Sequence, residues 1–311
     1  MTPGRSCPLH YRYPATTFAQ PASIQTDTLY VVGGLYGNIE AWRTVSALFE
    51  QEAAVRKQLV LNGDFHWFDI DAPLFAEVEA ATAPHHRLRG NVETEISQPS
   101  SGAGCGCAYP DDVDDGTVER SNRILQRLHT TAQQVPAVAA RLAALPMFAI
   151  AEVGGQRIGL VHGDAESLAG WGFDPTALDD VSHQSTVARW FAQGEVDVFA
   201  SSHTCAAGLR RIQLMRGEGV VINNGAAGMP CFAGQRFGVI SRIATTAAPA
   251  HVQRLYGTVL NGLHIDAMAV PFDATAWDQR FLAMWPPGSD AHLSYWHRIQ
   301  HGPRGVLEAV A

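Results

Sequence analysis

The chain has 311 residues, of which 46% are hydrophobic and 17% charged, and a formal net charge of −8. That is long enough for one sizeable core, with no signature of disorder, collagen or coiled coil. The acidic balance argues against bulk nucleic-acid binding. No apolar run approaches the roughly 18–20 residues of a membrane helix, and the stretch before Ile24 lacks the apolar segment of a secretory leader. Five cysteines, an odd number in a chain of this size, point to reduced thiols and a cytoplasmic setting.

Residues 1–27, with recurrent prolines, read as a loosely ordered arm. Thr28–Val32 is a β-branched and aromatic run that stops at Gly33-Gly34, and a helical pattern starts near Asn38. The strand-to-helix theme repeats. Gln58–Leu61 runs into Asn62-Gly63-Asp64, a second helix is expected over Leu74–Ala81, and His86–Leu88 runs into Arg89-Gly90-Asn91. Residues 96–113, rich in Gly, Ser and Pro and carrying Cys105-Gly106-Cys107, read as an inserted loop. Helices are expected at 114–131 and 134–144, then a hairpin, Phe148–Val153 and Arg157–Val161, about Gly154-Gly155. The hairpin delivers His162-Gly163-Asp164. Helical sequence over 176–193 precedes a buried strand, Val196–Ala200, that ends at Ser201-Ser202-His203. Strands are expected at 220–223, 237–244, 254–260 and 263–270. The tail from Asp273 reads as helical and is broken at Pro286-Pro287-Gly288. Strand–helix units first and hairpin strands later imply an α/β sandwich of two mixed sheets with flanking helices.

Four expected strands end in short turns that bear a metal-binding residue type: Asp64, Asn91, His162 and His203. A lone strand-end Asp is more often a turn or helix cap, and a lone His more often a satisfied core residue. Four in one order, at strand ends that cluster along one edge of an α/β fold, reverse that weighting. One carboxylate, one amide oxygen and two imidazoles suit Mn, Fe, Zn or Ni better than Ca.

This order resembles the calcineurin-like metallophosphoesterases, whose motifs are D-x-H, G-D, G-N, H-G and G-H-x-H. The corresponding stretches here are Gly34-Leu35-Tyr36, Gly63-Asp64, Gly90-Asn91, His162-Gly163 and Ser202-His203-Thr204-Cys205. The resemblance spans residues 28–270 and implies a four-layer α/β/β/α sandwich, with residues 271–311 as a helical extension. It also implies hydrolysis of a small phosphomonoester or phosphodiester, nucleotides included, by metal-bound hydroxide. The departures fall on one side. The residues matching one metal site (Asp64, Asn91, His162, His203) are all present, whereas Gly34, Tyr36 and Cys205 replace the ligands of the other. One divalent transition metal per chain is therefore the favoured expectation.

Three readings of the altered half stay open. A one-metal hydrolase would need other groups to stabilise charge, with Tyr36, His66, Arg87 and Arg89 as candidates. A rebuilt second site would draw on Cys205, Tyr36, His66 and the Cys105/Cys107 loop, although Cys205 equally suits a small buried position and Tyr36 equally suits packing. A disulfide across the single residue between Cys105 and Cys107 would be strained. The third reading is a non-catalytic protein that binds metal or phosphate. Trp67, Trp171 and Trp190 are candidates for a pocket lining or for core. The stretch with His292, His297 and His301 reads as a surface helix or the arm of a homodimer. The expected partner is a small phosphate ester, with neither nucleic acid nor membrane.

Overall fold

The computed structural model describes residues 2–304 apart from Ser101 and Arg216. Two six-stranded sheets form its centre. The first runs, in spatial order, β1 (Ile24–Thr26), β5 (Phe148–Val153), β6 (Gln156–Val161), β7 (Val198–Ser201), β9 (Gly217–Asn223) and β8 (Gly208–Leu214). The second runs β11 (Arg254–Leu260), β12 (Leu263–Pro271), β10 (Phe237–Ala244), β2 (Thr28–Val32), β3 (Lys57–Asn62) and β4 (His86–Leu88). Each sheet has a parallel group, β6–β7–β9 in one and β2–β3–β4 in the other, with antiparallel neighbours. Both sheets are therefore mixed, as the order of strand and helix signals implied. Residues of β2 are buried along its whole length, which is why Thr28–Val32 reads as a continuous run rather than an alternating one.

Helices flank the sheets: α1 (Ile39–Gln51), α2 (Ala72–Thr82), α3 (Asn91–Ser97), α4 (Asp115–Gln133), α5 (Pro136–Ala143), α6 (Pro175–Asp179), α7 (Val181–Gly194), α8 (Ala274–Met284) and α9 (Asp290–His301). Their starts are set by side-chain caps. Asn38, Asp71, Asp114, Asp180 and Asp273 each accept a backbone N–H of the first turn, a contact of about 1 kcal/mol apiece. Asp114, from the acidic run before α4, is thus a helix cap. None of the described helices is long and apolar enough to cross a membrane.

Two buried asparagines hold the sheets together where their parallel strands end. Asn62 Nδ2 donates to Val161 O at 2.9 Å, and Asn224 Nδ2 donates to Gly33 O at 3.0 Å and Val239 O at 2.9 Å. Strand-end carbonyls left unpaired between two sheets would each cost about 1–3 kcal/mol, so a short amide is the economical side chain there.

Several expectations need correction. The N-terminal arm is ordered. It adds β1 to the edge of the first sheet, parallel to β5, and buries Tyr11 and Phe18 completely. Its anchoring aromatic residues are spaced without a helical or strand period, so they gave no signal. Strand β8 was missed because Leu209-Arg210-Arg211-Ile212-Gln213 alternates weakly. Helix α3 was missed because its sequence is mostly polar, yet Asn91 to Ile96 are all buried. The stretch with His292, His297 and His301 is helical as expected: it is α9, which lies on α4, with Arg123 paired to Asp290 at 2.7 Å and Arg120 Nε donating to Ser294 Oγ at 2.7 Å. Residues 305–311 of the expected C-terminal extension lie outside the described ones.

Candidate metal centre

Asp64, Asn91, His162 and His203 come together where the two sheets meet. Asp64 follows β3, Asn91 opens α3 after β4, His162 follows β6 and His203 follows β7. Ligand-binding atoms of Asp64, His162 and His203 all lie within 4.8 Å of one another, and all three residues are buried. His162 Nε2 is 3.1 Å from Asn91 Oδ1, 3.1 Å from His203 Nδ1 and 3.3 Å from Asp64 Oδ2.

Partners on the outer side of each group fix which atom faces inward. His162 Nδ1 lies 3.0 Å from Asn62 O, and a carbonyl only accepts, so Nδ1 carries the proton and Nε2 presents a lone pair. His203 Nε2 lies 3.0 Å from Cys107 O, which leaves a lone pair on Nδ1 by the same logic. Asn91 Nδ2 donates to Cys105 O at 3.0 Å, which turns its carbonyl oxygen inward. Four acceptor atoms thus face one another with no donor between them. Such an arrangement repels itself unless a cation or a proton sits at the centre. The donor set fits a divalent transition metal. Electrostatics agree: burial pushes the His162 pKa down, but the Asp64 carboxylate pushes it up further. Burial, then the neighbouring His162, lowers that of His203 to about 3.

The backbone makes room for this convergence. A side chain at Gly63 would strike His162 Nδ1, and one at Gly90 would strike Asp64 Oδ1. Asp64, Tyr36 and Cys205 all hold left-handed φ angles of 54–58°. Each costs about 1–2 kcal/mol for a non-glycine residue, and such strain concentrates at functional sites.

Glu93 was not singled out from the sequence. It is fully buried, and its carboxylate accepts the backbone N–H groups of Asp64 (2.8 Å), Phe65 (3.0 Å), His66 (3.3 Å) and Gly90 (2.8 Å). It therefore locks the Asp64 turn to the Asn91 turn. Burial, and then the Asp64 charge, push its pKa upward. Its position three residues after Gly90 is capping-box spacing, the one available signal.

The other expected residues divide. Tyr36 and Cys205 do meet: Tyr36 Oη is 2.8 Å from Cys205 Sγ, at the edge of the cluster. His66 does not join them. Its ring is fully buried, stacks on Phe75 with centroids 4.0 Å apart, and places Nδ1 2.5 Å from Asp69 Oδ2. Arg87 pairs with Glu79 at 2.7 Å. Arg89 donates to Ala143 O at 3.1 Å and borders a separate surface groove beside His10 and Ser100. None of these three lines the cavity over the cluster. Cys105 and Cys107 are joined as a disulfide. Gly106, at φ 69°, reverses the chain enough to bring the two Cα atoms within 5.4 Å. Their carbonyls are the ones that hold Asn91 and His203, so the insertion does close over the site. Cys7, Cys205 and Cys231 are free. Trp67 and Trp171 line the cavity, whereas Trp190 packs in a different part of the core.

No protein-family model and no curated protein matches this sequence. Solved structures do match in shape. A hypothetical protein from Pyrococcus horikoshii OT3 superposes with a TM-score of 0.60 at 14% identity, over 89% of this chain and 99% of its own. A metallophosphoesterase from Sphaerobacter thermophilus superposes with a TM-score of 0.55 at 14% identity, over 89% of this chain and 100% of its own. The likeness is one of fold. This chain has the two-sheet α/β architecture of the calcineurin-like metallophosphoesterases, with a buried Asp/His/His cluster that could hold a metal.

Proposed function

We propose that the protein is a metal-dependent phosphoesterase that works with one divalent transition metal, Mn, Fe, Zn or Ni, and hydrolyses a small phosphomonoester or phosphodiester. The observation that carries this reading is the set of four inward-facing lone pairs on Asp64, Asn91, His162 and His203, set in a fold shared with a metallophosphoesterase. Bound there, the ion would polarise a phosphoryl oxygen and lower the pKa of water toward ~7. The chain's own residues supply the rest. Asp64 and Asn91 would hold the ion from the α3 side, and His162 and His203 from the other sheet. Arg298 brings a cation to the rim of the same cavity as Tyr36 and Cys205. The Tyr36 phenol is held neutral, its pKa raised by burial and then by Cys205, and it meets Cys205 Sγ at 2.8 Å in the wall of that cavity.

The closed Tyr36–Cys205 contact supports a second reading, a protein that binds metal and a phosphate group without turnover. Aryl phosphate hydrolysis by the metal-loaded chain separates the two. Turnover that is lost in Asp64→Asn establishes the esterase. Phosphate binding with no turnover, across mono- and diesters and all four metals, leaves the binding protein.

A further inference from the structure

Beside the metal cluster lies a cavity of about 250 Å³. Asp64, Asn91 and His203 form one side of it. The remaining walls are dominated by rings: Trp67, Tyr109, Trp171 and Tyr295. They form two packed pairs. Tyr109 and Trp171 have centroids 6.2 Å apart at a tilt of 47°, and Trp67 and Tyr295 lie 6.4 Å apart nearly edge to face. A cavity of about 150 Å³ suffices for benzene, so this one has room for a ring and a phosphate group together.

Charge narrows the choice further. Apart from the His203 imidazole, Arg298 is the one cationic side chain that lines the cavity among the described residues. Its Nε and Nη2 donate to Pro230 O (2.9 Å) and Cys205 O (2.7 Å), which fixes the guanidinium in place. One divalent ion and one arginine, offset by the Asp64 carboxylate, leave about two positive charges, which match a single phosphate monoester group. A di- or triphosphate would bring charges for which the cavity has no partner.

We infer that, on the phosphoesterase reading above, the substrate is a monophosphate ester whose leaving group is a flat, uncharged aromatic or heteroaromatic ring, selected by Tyr109 and Tyr295. These two rings come from the 96–113 insertion and from α9, both outside the two-sheet sandwich. They are only partly buried and line the cavity. Trp171 is less suited to selection, because it is already tied to the metal cluster. Its Nε1 donates to Cys107 O at 3.1 Å and its ring packs on His203.

The test is isothermal titration of the metal-loaded full chain with two non-hydrolysable probes of equal carbon count, benzylphosphonate and n-heptylphosphonate. Ring–ring contacts add to what buried area alone provides, so benzylphosphonate should bind about fivefold to tenfold tighter. Tyr109→Leu or Tyr295→Leu should bring that ratio close to one, with metal affinity unchanged. Equal affinities in the unaltered protein, a preference that survives both substitutions, or no binding of either probe would overturn the assignment. A non-hydrolysable nucleoside triphosphate analogue that binds tighter than benzylphosphonate would overturn it as well. Hydrolysis is scored separately. An aromatic preference without turnover of any ester removes the esterase reading and leaves the pocket assignment standing. Turnover with equal phosphonate affinities does the reverse.

Discussion

The two halves of the expected dinuclear site differ in what their atoms have left to offer. Around His162 Nε2, each ligand's outer atom is occupied by a backbone carbonyl or amide, and each inner atom is an unshared lone pair. At Tyr36 and Cys205 the two polar atoms face each other at 2.8 Å, and both groups are held neutral, first of all by burial. The first half leaves lone pairs that a cation could take up, and the second is satisfied without one. Gly34, Tyr36 and Cys205 therefore do not form a second open pocket. The site has a closed contact on one side and an open coordination set on the other.

The largest expected effect falls on the open half. His162→Ala should cut metal affinity by well over the ~100-fold that disturbing a ligand's supporting partner can cost. Elemental analysis after dialysis should then find close to zero ions per chain. Retention of a full equivalent would break the contrast between the halves. Glu93→Gln comes next. It places an amide NH₂ against two of the four backbone donors and leaves a neutral carbonyl for the other two, and each charge-assisted bond is worth about 1.5–3 kcal/mol before compensation. We expect a net loss of about 3 kcal/mol in denaturant unfolding, with weakened metal binding. An unchanged midpoint would show that the two turns are held by something else.

A third measurement tests whether His66 is available to the closed half at all. Burial pushes the His66 pKa down, but the Asp69 charge outweighs it and the value rises from 6.5 to about 9. Its stabilising contribution is therefore complete below about pH 6.5 and is lost as pH rises through about 9. Burial opposes ionisation of Glu79 too, yet His66 and Arg87 bring its value from 4.5 down to about 2. Its contribution is present above about pH 4.5 and is lost as pH falls through about 2. The contribution of the His66–Glu79 pair to the stability of the metal-free chain should accordingly be level between about pH 4.5 and 6.5, and His66→Gln should flatten the alkaline decline. An alkaline limb of equal steepness in that variant would contradict the ion-pair assignment. The smallest effect is expected at Cys205→Ala, which removes one thiol–phenol contact worth about 1 kcal/mol and leaves metal content at one ion per chain. A change in stoichiometry would mean that Cys205 is a ligand.

What the sequence made legible follows from chain-local physics. The β-branched run of β2, the glycine-centred hairpin of β5 and β6, and the strand-end turns at Asp64, Asn91, His162 and His203 each announce themselves within a few residues. Their order then suffices for the two-sheet fold. Groups that act across the chain stayed hidden. Tyr295 and Arg298 reach the cavity from a terminal helix with no local mark of that role. His66, only two residues from Asp64, looked like a neighbour of the metal, but the turn after Asp64 sends its ring into the core against Phe75. Sequence proximity cannot report that reversal, because it depends on the left-handed φ of Asp64 and on the Glu93 carboxylate 29 residues away from it.

The Glu93 clamp also bears on when the metal matters. The partners of the four amides and of both imidazoles' outer nitrogens are groups of the chain itself, so none of these contacts calls for an ion. Folding therefore does not wait for the metal, as it does in small zinc-nucleated domains. Loading becomes a late, reversible event on a finished scaffold, and the ion adds stability only by mass action, about 2.7 kcal/mol at a hundredfold excess over Kd. A chain built this way can be emptied and refilled without being unmade, so the ion it carries is set by supply as much as by the protein.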